Sequence, residues 1–336
     1  MGRTRLACYS GAHFLVDLSS ALLVVGRICP AGDAWTVMLL YNFCAFALQL
    51  PLGLLADRLD RNRQVAASGC LLALGAWLLP PGLAAAVTAG VGNALFHVGG
   101  GLDTLNGSRA KCGALGVFVS PGALGLFLGG LWSARWASLA PAVCVALAVA
   151  ALCIMRWCVG PSNAPTERPD SGGGESSALT GLLAVVVLRS WAGLLFQFPW
   201  KPQLGAALTL AVVLGKVCGG LLADRFGPGR TAAVSLALAA LCLGLSDAPA
   251  LGLASVFLFN MTMPLTLWAA ARLLPGTKGF AFGLLTFGLF LGFLPGHLDL
   301  MPVRPGPALY AAAALGSLPP LLWGLRAAQK GGGKSC

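Results

Sequence analysis

Apolar residues fill long uninterrupted stretches of this chain, and polar residues collect in the short breaks between them. Twelve apolar runs cover approximately 7-28, 34-56, 65-80, 82-101, 112-134, 138-157, 178-197, 203-223, 231-247, 249-273, 278-297 and 307-325. Most are about 18 to 24 residues long, enough for a helix rising ~1.5 Å per residue to cross a hydrocarbon core ~30 Å thick. The third and fourth runs are separated by Pro80-Pro81-Gly82, which cannot continue a helix and predicts a tight turn on the outer side. The pattern predicts an all-α integral membrane protein with twelve transmembrane helices.

Only residues 160-177 have a disorder-like composition, rich in Pro, Ser and Gly. They divide the chain into an N-terminal six-helix bundle (1-159), a cytoplasmic linker (160-177) and a C-terminal six-helix bundle (178-336). The two halves repeat each other. Gly53-Leu-Leu-Ala-Asp57-Arg58 closes the second run, and Gly220-Leu-Leu-Ala-Asp224-Arg225 closes the eighth, 167 residues later; Arg63 and Arg230 keep the same offset. Gly125-Leu-Phe-Leu-Gly129 in the fifth run returns as Gly288-Leu-Phe-Leu-Gly292 in the eleventh. Parallel repeats of this kind suit a transporter that rocks two bundles about a central site.

Composition agrees with the pattern: 57% of the residues are hydrophobic and 10% are charged, too few to cover a soluble globule. The net charge of +11 sits in short clusters between apolar runs rather than on a basic face interleaved with aromatics, which argues against nucleic acid. With the N-terminus inside, sixteen Lys and Arg fall on inner segments and four (Arg27, Arg135, Lys201, Arg304) on outer ones. That asymmetry places both termini in the cytoplasm. The eleven cysteines lie mostly within apolar runs and read as packing residues rather than a disulfide framework. The first run lacks a clear cleavage site and reads as a retained span.

The phrase at Gly53 to Arg63 resembles the hallmark of the major facilitator superfamily, approximately G-x-L-A-D-R-x-G-R-K, and Gly220 to Arg230 resembles a weaker copy. The first copy has Asp60 where Gly is usual, and the second keeps Gly227 but has Pro228 in place of a basic residue. A small residue such as Gly53 lets two helices approach closely, and Asp57 or Asp224 then offers a carboxylate to the positive end of a neighbouring helix. The resemblance implies a cytoplasmic gate made by Gly53, Asp57, Arg58, Arg61, Arg63, Gly220, Asp224, Arg225 and Arg230. The alternative is that the two acids are simply the polar ends of spans. A narrower resemblance, to the fosmidomycin-resistance branch, rests on Gly11-Ala-His13-Phe14 with Asp17, Gly92-Asn-Ala-Leu-Phe96-His97 and Leu188-Arg189-Ser190; Val98 stands where that branch has Pro. The fifth run has the small residues of drug antiporters (Gly116, Gly122, Gly125, Gly129) without their Gly-Pro pair.

Ionisable groups inside spans are costly and usually face a cavity or a partner. Asp17 and Arg189 lie near the midplane of the first and seventh runs and are expected to attract one another. His13 stands one helical turn before Asp17 on the same face, so the two can exchange a proton or share a ligand. His97 is either functional or a hydrogen-bonded structural residue. Lys216 reads as snorkelling toward the inner surface, and His297 with Asp299 as interfacial. Asn42 and Gln49 in the second run and Asn260 in the tenth, near Pro264, are candidates to line a polar path, against ordinary helix–helix hydrogen bonding.

Together these features predict a secondary active transporter working by alternating access. The resemblance implies proton-coupled efflux of a drug-like or metabolite anion, with an importer or uniporter of the same fold as the alternative. A receptor or scaffold that does not transport is the rival of another class. Three histidines at 13, 97 and 297 show no metal-ligand spacing and no nucleophile motif is present, so neither an enzyme nor a metal site is expected. No cofactor is expected beyond the proton as coupling ion. The expected partners are a small-molecule solute and membrane lipid, for a monomer in the plasma membrane, the inner membrane of a prokaryote.

Overall fold

A computed structural model describes residues 1–160, 173–300 and 305–331. Most of the expected linker lies outside the described residues, as do Arg168, Arg304 and Lys334. The described residues are mostly helical, without a strand, and form twelve principal helices. Ten helices are long and apolar enough to cross a membrane: α1 (Arg3–Ala31), α2 (Ala34–Leu59), α4 (Leu83–Gly107), α5 (Gly113–Leu131), α6 (Ser133–Trp157), α7 (Glu175–Leu195), α8 (Gly205–Phe226), α10 (Pro249–Leu273), α11 (Lys278–His297) and α12 (Pro307–Lys330). Two shorter helices complete the set, α3 (Asn62–Leu78) and α9 (Pro228–Leu243).

Helix ends depart from the apolar runs by a few residues because backbone hydrogen bonding continues past the last apolar side chain. Helix α4 is the largest case: it runs to Gly107 rather than 101, so Asp103 lies inside the bundle, 2% exposed. The turn at Pro80-Pro81-Gly82 is where it was expected. After the GLLADR phrase the backbone turns left-handed at Asp60 (φ 48°) and at its counterpart Gly227 (φ 89°). That geometry explains why a glycine is at home there and why Asp, tolerant of the left-handed region, can replace it.

Packing follows one rule applied twice. Within the first half α1 packs on α5 and α6, α3 on α4 and α6, and α2 on α4. Within the second half α7 packs on α11 and α12, α9 on α10 and α12, and α8 on α10. Each second-half pair is the first-half pair advanced by six helices, so the described chain is two parallel six-helix repeats. The halves meet chiefly where α2 packs on α11 and α5 on α8, two contacts that exchange under the same symmetry.

In a membrane, apolar side chains gain nothing by leaving lipid for protein, so close backbone approach carries the packing. The α3–α4 pair shows this at Gly69, Gly92 and Gly99. A Cβ on Gly92 would stand 2.6 Å from the Ala73 nitrogen, and one on Gly99 would press on Ala66 and Asn62 backbone atoms. Gly92→Val should therefore cost about 1–3 kcal/mol and lower the thermal unfolding midpoint in detergent. Gly75→Val, at a glycine of α3 whose Cβ meets nothing within 4 Å, should leave the midpoint nearly unchanged.

Candidate functional site

The sequence puts His13 and Asp17 one turn apart on α1, and Asn93 and His97 one turn apart on α4. Helix packing brings the two pairs together. His13 Nε2 lies 2.9 Å from His97 Nε2 and 3.3 Å from Asp17 Oδ2; His97 Nε2 lies 3.8 Å from Asp17 Oδ1. Asn93 donates from Nδ2 to Asp17 Oδ1 at 2.9 Å. Asp17 is 7% exposed and His13 5%, while His97 is part-exposed on one side of the cluster. Gly122 of α5 closes its remaining side, since a Cβ there would collide with Asp17 and His13.

Both rings are oriented by backbone carbonyls. His13 Nδ1 stands 2.6 Å from the Phe118 oxygen and His97 Nδ1 2.8 Å from the Asn93 oxygen. A carbonyl only accepts, so each Nδ1 carries the hydrogen and each Nε2 of a neutral ring presents a lone pair. Two lone pairs 2.9 Å apart repel; a single proton between them converts the contact into an N–H···N hydrogen bond, with Asp17 as counter-ion. The three donor atoms lie within 4.8 Å of one another, which raises the question of a metal ion. At metal–nitrogen lengths of about 2.0–2.1 Å, nitrogens this close would subtend roughly 90°, too narrow for a tetrahedral zinc site but the angle between adjacent ligands of an octahedral or square-planar ion. The same 2.9 Å separation is that of an N–H···N hydrogen bond, so the pair is also spaced for a shared proton.

Arg189 does not meet Asp17. Its NH2 donates to Thr262 Oγ1 at 2.6 Å and Thr266 Oγ1 at 3.3 Å, both on α10, with the guanidinium above the Phe259 ring. Lys216 does not snorkel either: it is 9% exposed and donates to the Val119 oxygen of α5 at 3.2 Å. Gly215 and Gly219 hold this stretch of α8 against α10 at Phe257 and Met261, which turns Lys216 inward.

Of the other candidates, Asn42, Gln49 and Asn260 each donate to the carbonyl four residues earlier on their own helix, at Met38, Ala45 and Val256. In an apolar medium that oxygen is the nearest acceptor, and none of the three joins the His13–His97 cluster. His297 stacks on Trp35 of α2, whose Nε1 donates to the His297 oxygen at 3.1 Å, at the opposite end of the bundle from Arg58.

At the basic end, marked by Arg58 and Arg225, the two acids of the repeated phrase make matching contacts across the halves. Asp57 accepts from the Gly279 and Phe280 nitrogens at 2.7 and 2.8 Å, at the start of α11. Asp224 accepts from the Cys112 and Gly113 nitrogens at 2.7 and 3.0 Å, at the start of α5. Those nitrogens have no partner within their own helix, and the positive helix end favours a carboxylate. Gly53 faces Gly279 backbone to backbone, and Gly220 faces Cys112 and Gly113 likewise, so no Cβ fits between.

Arg58, Arg61, Arg63, Arg225 and Arg230 form no ion pair with either acid. Arg63 donates to the Met155 oxygen and Arg225 lies over the Phe226 ring. The cation in Coulombic reach of Asp57 is Lys278, which also donates to Asn106 Oδ1 at 3.1 Å.

Asn93, Lys216, Lys278 and Asp103 are the residues that sequence reasoning passed over as site members. Asn93 carried a usable signal, one turn before His97 within Gly92-Asn-Ala-Leu-Phe-His97. Charge-assisted bonds of the kind Asp224 makes contribute about 1.5–3 kcal/mol each. Asp224→Ala should thus speed maleimide labelling of the buried Cys112 in the purified protein by roughly tenfold or more, read peptide by peptide in a mass spectrometer. An unchanged rate would mean that Asp224 does not hold this end shut.

No family profile matches the chain, and no curated protein sequence matches it. Solved structures are similar to it over nearly its whole length. The E. coli fucose:proton symporter FucP, described as a Major Facilitator Superfamily transporter in the outward conformation, superposes with a TM-score of 0.70 at 14% identity, covering 97% of this chain and 99% of that one. A bacterial homologue of the iron transporter ferroportin in an outward-facing state gives 0.62 at 16%, covering 99% and 100%. The human organic anion transporter MFSD10 gives 0.64 at 18%, covering 98% of each chain. The chain has the major facilitator fold.

Proposed function

We propose that this protein is a member of the major facilitator superfamily and a secondary active transporter, exporting a small organic anion in exchange for protons by alternating access. The observation that carries the reading is the His13–His97 contact beside the buried Asp17. It is a pair of imidazoles that needs one proton to be stable, with a carboxylate to balance that proton. Occupied and empty states of such a site differ in charge inside a low-dielectric bundle, which can bias one arrangement of the helices over another. His13, Asp17 and His97 take the proton-coupling role, Asn93 positions Asp17, and Arg189 receives the anion. Residues 1-159 and 178-336 are the rocking bundles. Asp57 and Asp224 latch the basic end, which the excess of Lys and Arg assigns to the cytoplasm of the plasma membrane. The residues around His13, Phe96 and Arg189 that resemble the fosmidomycin-resistance branch support placing the chain near that branch.

The test is solute-dependent proton movement in liposomes loaded with a pH-sensitive dye, screened with small organic anions and amphiphilic drugs under an imposed proton gradient. Proton flux should appear only with a transported solute and should be lost in Asp17→Asn. The sign of the flux separates exchange from cotransport. Radiolabelled solute crossing at the same rate in Asp17→Asn, without proton flux, would sink the coupling mechanism and leave a uniporter.

A further inference from the structure

Among the described residues, His13, Asp17 and His97 are the one group of three whose metal-binding atoms all lie within 4.8 Å of one another. The His13 and His97 Nε2 atoms are 2.9 Å apart, His13 Nε2 is 3.3 Å from Asp17 Oδ2, and His97 Nε2 is 3.8 Å from Asp17 Oδ1. Two ligands of one ion stand at most twice the bond length apart, about 4.2 Å for imidazole and carboxylate donors. All three separations fall below that limit, so each pair of donors can share one ion.

Each donor is also held from behind. The Phe118 and Asn93 oxygens take the two Nδ1 hydrogens and leave both Nε2 lone pairs facing the gap, and Asn93 Nδ2 fixes Asp17. Outer partners of this kind set the tautomer and direction of metal-ligating side chains. Gly122 keeps the gap open from the α5 side: a Cβ there would stand 2.3 Å from both His13 Nε2 and Asp17 Oδ2, filling the space beside the two donors. His97, with 13% of its side chain exposed, leaves a way in for an ion and for its solvent ligands. The Lys216 ammonium of α8 is turned to the Val119 oxygen and stays outside the donor set.

Two imidazoles and a carboxylate, with the nitrogens at roughly 90°, suit a divalent first-row ion of octahedral or tetragonal preference rather than a tetrahedral zinc. We infer that His13, His97 and Asp17 bind one such ion, of the Ni²⁺ or Co²⁺ class. The ion takes the place of the proton shared by the two rings, so each excludes the other. The inference stands on the donor geometry and holds whichever solute the protein carries and in whichever direction.

The test is calorimetric titration of the full-length, tag-free, chelator-stripped protein in detergent with Ni²⁺, with Mg²⁺ as control. X-ray absorption at the nickel edge reads the ligands, and thermal unfolding reads the fold. One Ni²⁺ should bind per chain and raise the unfolding midpoint, Mg²⁺ should do neither, and the absorption fine structure should show two imidazoles in a six- or four-coordinate, non-tetrahedral shell. His97→Gln should weaken Ni²⁺ binding by at least about tenfold and leave one imidazole on the ion, whereas His297→Gln should bind as the native chain does. No Ni²⁺ binding to the native protein, Mg²⁺ binding as tight as Ni²⁺, fewer than two imidazoles, or a tetrahedral shell would each overturn the inference. So would a folded His97→Gln that binds as the native chain does; if that variant does not fold, the imidazole count on the native protein decides. Proton flux in liposomes is measured separately, so the proton-coupling reading outlives a failure here.

Discussion

A carboxylate seated on the open start of a helix holds the two halves in register, and the rest of the molecule is arranged around that contact. It occurs twice, at Asp57 on α11 and at Asp224 on α5, and each instance joins opposite halves. The contact has a steric precondition. Only where Gly53 meets Gly279, and Gly220 meets Cys112 and Gly113, do the helices come close enough for so short a side chain to reach the nitrogens. Four charge-assisted bonds at about 1.5–3 kcal/mol each are of the order needed to decide between two arrangements that differ by a few kcal/mol. They also break cleanly, because water at the membrane surface can replace them. A contact of that strength and place differs from core packing, whose partners no water can replace.

Inside the bundle the same physics runs the other way, since no water stands by to replace a lost partner. The described scaffold is symmetric to the level of which helix packs on which, yet its buried charges are not. The first half gathers two imidazoles, a carboxylate and a carboxamide on α1 and α4. Guanidinium and ammonium stand on α7 and α8 in the second half, with hydroxyls and a carbonyl but no acid. A duplicated backbone thus carries different buried charges in its two halves.

Features set by local pattern were legible in the sequence: the twelve spans, the Pro80-Pro81-Gly82 turn, the repeat, and the helix-end role open to Asp57 and Asp224. Features set by convergence were not. His13 and His97 are 84 residues apart and make no ligand spacing, so only the packing of α1 on α4 reveals their contact. Asp17 and Arg189 sit at similar depth, which suggested a pair, but Asn93 and the histidines claim the carboxylate while Thr262 and Thr266 claim the guanidinium. Depth along a helix is readable from sequence, whereas the direction a side chain takes depends on the neighbour. Lys216 illustrates this: its distance from the basic end allowed snorkelling, and Gly215 with Gly219 ruled it out by fixing which face of α8 meets α10. Asn42, Gln49 and Asn260 each bond to a carbonyl of their own helix, the nearest acceptor to a mid-helix amide, which the sequence alone does not reveal.

The imidazole pair and the buried lysine are joined at one point in the chain. Helix α5 is interrupted at Ser120-Pro121, and proline leaves the carbonyl four residues earlier without its helical donor. That oxygen, on Val117, accepts from Ser10 of α1 and from Ser120. The next oxygen, on Phe118, orients His13, and the one after, on Val119, holds Lys216 of the other half. Three successive carbonyls at a helix break thus serve the first bundle twice and the second bundle once. Any movement of α8 that draws Lys216 away from Val119 acts on the same half-turn that aims the His13 ring. A straight helix would keep those oxygens for its own hydrogen bonds, so the break in α5 gives the imidazole pair and the buried lysine a common support.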